Sequence, residues 1–401
     1  MALLLGGQAL TTSSLLSVQT AIGFEGYSRS GDPLVLGLLG LSEFLPALLL
    51  ALPAGHAADH RDRRRLTACG LALMTLASLG IALDTASGDG RVWPLYLLAL
   101  LAGAGRSYAS PGYTPMLAAS VEIGELPRVM ALNASIWQFG TITGPAAAGL
   151  LHLLGAPAPF VEAAAVSGLA AICVLFVPRA VGRAHLLGER RAATLTDALA
   201  GVRFILRTPT LLATMSLDLV AVLLGGATAL LPVFSEHVLH VGALGNGLLR
   251  AAPGVGAAVV ALLLALRPVE RRVGRTLFVA IGSFGAFTVV FALSRSFLLS
   301  LVALAGIAAA DMFSVFIRST LAPLLTPPEL RGRVGAVERV FIGGSNELGA
   351  FESGIAAALV GAVPAVAIGG LLAIAAAGLW AWRFPGLRGV DRFADAAAQR
   401  E

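Results

Sequence analysis

Lysine is missing from this chain; all 28 basic residues are arginine. A phosphate-cradling loop of the Gly-x-x-x-x-Gly-Lys-Ser/Thr type needs a lysine to reach the phosphates, so no ATP-driven engine of that kind is encoded here. Cysteine is nearly missing too. Cys69 and Cys173 both lie inside apolar stretches, where they read as small packing residues and not as a disulfide or metal pair. No histidine or cysteine cluster has metal-ligand spacing, and no nucleophile–base set stands out. No metal, no cofactor and no enzymatic chemistry are therefore expected. Charge of either sign is scarce: 13% of 401 residues, where a soluble domain carries about 25%. No cleavable signal peptide is expected, because the first apolar run lacks a basic start and a clear small-residue cleavage site. An opening on apolar sequence at Met1 is also what a missing short basic lead would leave.

What is present is apolar sequence, 57% of residues. It is gathered in runs long enough for a bilayer core, which takes roughly 20 residues of helix. The runs are Leu3 to Phe24, Leu34 to Ala54, Leu66 to Leu83, Val92 to Ala119, Val129 to Leu154 and Phe160 to Val177. A polar stretch intervenes. Then come Leu211 to Phe234, Leu244 to Leu266, Thr276 to Leu293, Phe297 to Leu321, Val334 to Val360 and Val363 to Trp382. Backbone in hydrocarbon must bond within its own segment, so these are helices; barrel strands would be shorter and alternating. The expected fold is all-α with twelve transmembrane helices. Its parts are a six-helix half over 1–177, a cytoplasmic linker over 178–209, a second six-helix half over 210–383 and a cytoplasmic tail over 384–401. With both termini cytoplasmic, 21 arginines fall inside, 3 (Arg29, Arg91, Arg295) fall outside and 4 lie within helices. That is the positive-inside bias. The net charge of +5 thus serves topology and anionic headgroups, and no nucleic-acid partner is expected.

The halves echo each other. At an offset of 205 residues, Arg128 meets Arg333, Val129 meets Val334, Ala131 meets Ala336, Gly144 meets Gly349 and Gly149 meets Gly354. Parallel half-repeats are a transporter arrangement.

Three motifs carry mechanism. Between the second and third runs stands Gly55-His-Ala-Ala-Asp59-His-Arg61-Asp-Arg63-Arg64-Arg65. Gly55 permits close helix approach, and Asp59 can accept charged hydrogen bonds. Such a cluster is either a gating latch or a topology anchor. The stretch resembles the signature loop of the major facilitator superfamily, Gly-x-x-x-Asp-Arg-x-Gly-Arg-Arg. It departs at His60, where arginine is usual, and at Asp62, where glycine is usual. Arg271-Arg-Val-Gly274-Arg275 looks like a degraded second copy. The fifth run carries Gly140-Thr-Ile-Thr-Gly144-Pro145-Ala-Ala-Ala-Gly149. Its small residues make a close-packing groove and Pro145 loosens the helix. It resembles the Gly-x-x-x-Gly-Pro-x-x-Gly-Gly pattern of the superfamily's proton-coupled exporters, with Ala148 in place of one glycine. The third is the C-terminal series around Asp311 to Thr320, Thr326 to Val334 and Ser345 to Gly354, with Leu45-Pro46 earlier. It resembles the branch containing the enterobactin exporter, the transmembrane secretion effector family.

Ionisable residues inside spans are expensive and functional by default. The proton-coupling or cavity candidates are Glu43, Arg106, Asp218, Asp311, Asn346 and Glu347. Arg106 and Asp311 stand in register at the same offset of 205. The resemblance implies that their helices line the transport cavity, where they would gate or share a proton. Arg318, Arg339 and Glu338 are open to a structural reading as anchors, and Arg250 to either. Trp137, Phe139, Tyr108 and Tyr113 are open between lining a cavity and packing. The resemblance implies a monomeric secondary transporter of the bacterial cytoplasmic (inner) membrane. It would export a small amphipathic compound, siderophore-like or drug-like, by proton antiport. An importer or lipid flippase of the same fold, and a non-transporting membrane sensor or structural protein, are the alternatives.

Overall fold

The computed structural model describes residues 1–122, 124–183 and 195–398. Part of the expected 178–209 linker, including Arg190 and Arg191, lies outside the described residues, as does Arg400. Among the described residues all regular structure is helical. The first stretch holds α1 (Ala2–Ser30), α2 (Pro33–His60), α3 (Arg63–Ser87), α4 (Trp93–Ala119), α5 (Leu126–Leu151), α6 (Ala158–Leu175) and the short α7 (Arg179–Arg183). Then come α8 (Leu195–Arg207), α9 (Pro209–Leu224), α10 (Leu231–Val233), α11 (Gly242–Leu266), α12 (Val273–Leu293), α13 (Phe297–Leu325), α14 (Arg331–Val360), α15 (Ala362–Arg383), α16 (Pro385–Gly389) and α17 (Phe393–Ala398).

Local chemistry sets the boundaries. Asp32 caps α2, its Oδ1 accepting from the Leu34 amide at 2.9 Å, with Pro33 in the first turn. Gly88 closes α3 in the left-handed region at φ 68°, where a side chain would be strained. Eight helices among the described residues are long and apolar enough to cross a bilayer. Four more, α1, α4, α5 and α14, have 29, 27, 26 and 30 residues.

By packing, the chain divides into two compact units. The first comprises Met1–Ala192 with Leu231–Ala251, the second Ala193–Leu230 with Ala252–Glu401. In the first, α3 packs on α4 and α6, α2 on α4, and α1 on α5 and α6. In the second, α12 packs on α13 and α15, and α14 on α8, α9 and α15.

The seventh run, expected as one helix from Leu211 to Phe234, is broken. α9 stops at Leu224, a 3-10 turn spans Ala227–Leu230, and a π-turn covers Phe234–Val238. The cause is the Gly225–Gly226 pair. A Cβ on Gly225 would sit 2.5 Å from the Phe284 ring, and one on Gly226 2.3 Å from Ser353 Oγ. The missing side chains let this turn press against α12 and α14, and the helical ladder is given up there.

Candidate functional site

Glu43 sits in the first unit where α2 and α4 approach most tightly. A Cβ on Gly103 would lie 2.1 Å from the Glu43 carbonyl oxygen, so α4 can pass only because residue 103 is glycine. One turn on, Arg106 Nη1 donates to Glu43 Oε1 at 3.2 Å. Gln19 Nε2, from α1, donates to the same oxygen at 2.7 Å. Arg106, expected to act with Asp311, thus has Glu43 as its ion-pair partner, and Gln19 completes a three-helix polar cluster. Gln19 was not among the expected residues. Its amide in an otherwise apolar run was the available signal. Tyr113 is buried and bonded to Thr11 Oγ1 at 2.8 Å, while Trp137 and Phe139 stand exposed on α5.

The signature loop does structural work that the sequence pattern leaves implicit. Asp62, one of the two departures, is the N-cap of α3: its Oδ1 accepts from the Arg64 amide at 3.1 Å. Arg63 Nε donates to the Ala58 carbonyl at 3.0 Å and its Nη2 lies 3.3 Å from Asp59 Oδ1. Arg64 Nη1 donates to Leu175 O at 3.0 Å and to Val177 O. The last carbonyls of a helix lack intrahelical partners and carry the negative end of its dipole. Arg63 and Arg64 supply cations to the ends of α2 and α6, which explains why both are buried although charged. Arg61 stays exposed, and a Cβ on Gly55 would meet open space. The degraded copy makes contacts in the second unit through backbone amides. The Val273 and Gly274 amides donate to Asp391 O and Val390 O at 3.1 and 3.0 Å, beyond the end of α15.

The helix 5 glycines are contact points. A Cβ on Gly140 would strike Thr12 of α1 at 2.5 Å, and one on Gly144 Ser13 O at 2.8 Å. Gly149 faces Gly247 of α11, whose own Cβ would lie 2.5 Å from Pro145 O. In the second unit Gly349, in register with Gly144, meets Leu223 O of α9 at 3.0 Å. Gly144 and Gly349 thus each seat their helix on the first long helix of their own half-sequence.

In the second unit the charged centre is Asp218 of α9 with Arg318 of α13, Oδ1 to Nη2 2.8 Å, both side chains 6% exposed. Arg318 Nε and Ser314 Oγ, one turn away, are buried without hydrogen-bond partners. Glu338 and Ser345 of α14 border the same spot. Arg318 is therefore more than an anchor. Its spacing from Asp311, two helical turns on one face, was the sequence signal. Asp311 itself lines a separate cavity of about 200 Å³ beside the break after α9, with Gly225, Gly226, Thr228, Phe284 and Asn346. Asn346 Nδ2 donates to the Ile342 carbonyl at 2.9 Å. Glu347 is half-buried on α14 and does not line that cavity.

The comparisons agree with this all-helical architecture. The sequence pattern described as Major Facilitator Superfamily matches residues 2–350. An uncharacterized MFS-type transporter, y4rN of Sinorhizobium fredii, is 27% identical over 240 residues, 59% of this chain and 58% of that protein. Another, YfiS of Bacillus subtilis, is 27% identical over 210 residues, 50% and 48% respectively. The chain thus spans about half the length of the curated relatives it matches. Among solved structures, the D-xylose–proton symporter is similar at TM-score 0.72 and 14% identity, over 95% of this chain and 96% of that one. A bacterial homologue of the iron transporter ferroportin, inward-facing, gives 0.72 and 15% over 97% and 98%. The nucleoside transporter NupG gives 0.71 and 14% over 96% and 99%. These likenesses show the fold. A pattern match over most of the chain, on a multi-spanning helical frame with charged groups inside its helices, shows that the protein belongs to the Major Facilitator Superfamily.

Proposed function

We propose that the protein is a proton-coupled exporter of a small amphipathic compound, siderophore-like or drug-like, in the bacterial cytoplasmic membrane. In this reading twelve spans form two pseudo-symmetric halves, 1–177 and 210–383, joined by a cytoplasmic linker, and one copy suffices. The Asp218–Arg318 pair carries the proposal. Two opposite charges removed from water are held by mutual attraction against their desolvation. A proton on Asp218 cancels the attraction and strands Arg318, whose Nε is already unpartnered. The pair is then a device that converts proton binding into a demand for rearrangement. Asp311 and Glu347 are the further proton candidates, and Glu43 with Arg106 forms a second polar cluster.

The cavity beside the broken α9 supports an amphipathic substrate, since its walls are mostly apolar with one carboxylate, one amide and one hydroxyl. The glycine–proline pattern of α5 and the C-terminal resemblance to the enterobactin exporter branch support outward transport. Cells with and without the protein, given siderophore-like and drug-like amphipaths, test the direction. Export lowers accumulation of at least one compound class. Raised accumulation would make the protein an importer instead.

A further inference from the structure

A groove of about 380 Å³ opens in the second unit where the α8–α9 junction meets the α15–α16 junction. Its walls are apolar: Leu206, Pro209, Leu212, Phe384 and Leu387. A single charge lines it, Arg383. That guanidinium lies 5.5 Å from the centre of the Phe384 ring and has no carboxylate partner among the described residues. The groove lies at the end of a membrane helix. Trp380, which donates to Ser216 Oγ at 3.0 Å, and Trp382, 75% exposed, precede it directly on α15. Tryptophan and arginine together at a helix end mark the level of lipid headgroups. α8 has the matching character. It buries Ile205 against Val334 and Val337 of α14, yet leaves Leu206 62% exposed between Arg203 and Arg207. A short helix that exposes an apolar side chain between arginines with no ion-pair partner among the described residues suits a membrane interface.

We infer that this groove is a binding site for an anionic phospholipid, its phosphate held by Arg383 and an acyl chain laid along Leu206, Leu212 and Phe384. Charge complementarity selects this occupant. A neutral amphipath would leave the cation unanswered, and a free anion would leave the apolar wall uncovered. The site is distinct from the cavity beside the α9 break, and it does not depend on direction or coupling of transport.

Native mass spectrometry of the full chain, released from a neutral detergent with phosphatidylglycerol and phosphatidylcholine of matched acyl chains, provides the test. One interfacial cation contributes about fivefold in affinity for an anionic lipid, so the wild-type protein retains phosphatidylglycerol about fivefold over phosphatidylcholine. Arg383→Gln brings the two lipids to parity. A Cβ on Gly386 would meet open space at the groove, so Gly386→Phe fills it with the cation untouched and removes retention of both lipids. Inorganic phosphate in millimolar excess leaves retention unchanged. Equal retention of the two lipids by the wild type would overturn the site, as would undiminished retention by Gly386→Phe. Should Arg383→Gln fail to fold, the Gly386 variant decides alone.

Discussion

Arg318 has one ion-pair partner among the described residues, Asp218. Both members of the pair with Asp218 are withdrawn from solvent. Breaking such a pair leaves a buried charge alone and costs about 3–5 kcal/mol. Asp218→Asn and Arg318→Met are each expected to lower thermal stability strongly, and the double substitution to recover much of the loss. Additive losses in a double-mutant cycle would show that the two are not energetically coupled. The Arg106–Glu43 pair is expected to behave more mildly. Arg106 is 35% exposed, so solvent screens the interaction and Arg106→Gln loses less than either Asp218 or Arg318 variant. A sharper local effect belongs to Gly103. Its missing side chain lets α4 ride on the α2 backbone at Glu43. Gly103→Leu forces the helices apart, where overpacking costs about 1–3 kcal/mol or more, and it displaces Arg106 from Glu43 in the same movement. A thermal midpoint equal to that of the wild type would contradict this packing.

At the scale of elements, substitution can separate the structural role of the signature loop from the gating role proposed for it. Asp62 caps α3 and meets the Arg64 guanidinium at 3.4 Å. Asp62→Ala is expected to lower stability by about 1 kcal/mol or more, the value of a lost N-cap. Asp59 is 50% exposed, so its bond to Arg63 adds little to stability. Asp59→Asn is expected to leave abundance normal and slow transport, because a latch acts through the difference between states. An unchanged transport rate would reduce Asp59 to a topology anchor. The helices themselves were legible in the sequence, because an apolar run with an Asp cap or a proline start specifies its own boundaries, as at Asp32-Pro33. The signature loop was legible as a motif. Its use of Arg64 to close the end of α6 was not, since Leu175 and Val177 contribute only backbone carbonyls and these leave no mark in side-chain pattern. The broken seventh run was hidden for a related reason. Gly225-Gly226 lies in an unbroken apolar stretch, and only the closeness of Phe284 and Ser353 shows why the ladder fails there. Arg106 in register with Asp311 suggested a partnership. Within its own unit Arg106 pairs with Glu43 on a different helix, a contact that the offset between half-repeats does not encode.

At the scale of the whole molecule, arginine distribution and buried charge make linked demands on topology and energy. The positive-inside reading places the turn between α11 and α12, rich in arginine, on the cytoplasmic side, and the turn between α3 and α4 outside. Single cysteines at Glu270 and at Asp89, both exposed, in a background without Cys69 and Cys173, are expected to label from opposite faces of the membrane. Gly188 would serve as well as Glu270 but lies outside the described residues. Labelling of both from one face would end the topology. Coupling follows from the same orientation. An exporter that takes protons inward must bind them from outside and release them inside, so each cycle protonates a group whose ionised form is stabilised by a partner in only one state. Asp218 is the group proposed for this step, because Arg318 is its ion-pair partner among the described residues. In inverted vesicles with an acidic lumen, adding substrate is then expected to drive lumenal protons out as substrate enters, and collapsing the pH gradient to stop uptake. Asp218→Asn is expected to abolish substrate-driven proton movement while leaving any downhill exchange, because the neutral side chain can no longer hold or release the proton. Uptake that proceeds equally well without any ion gradient would reject antiport. Proton movement that survives in Asp218→Asn would pass the coupling role to Asp311 or Glu347, and leave the Asp218–Arg318 pair a strut between α9 and α13.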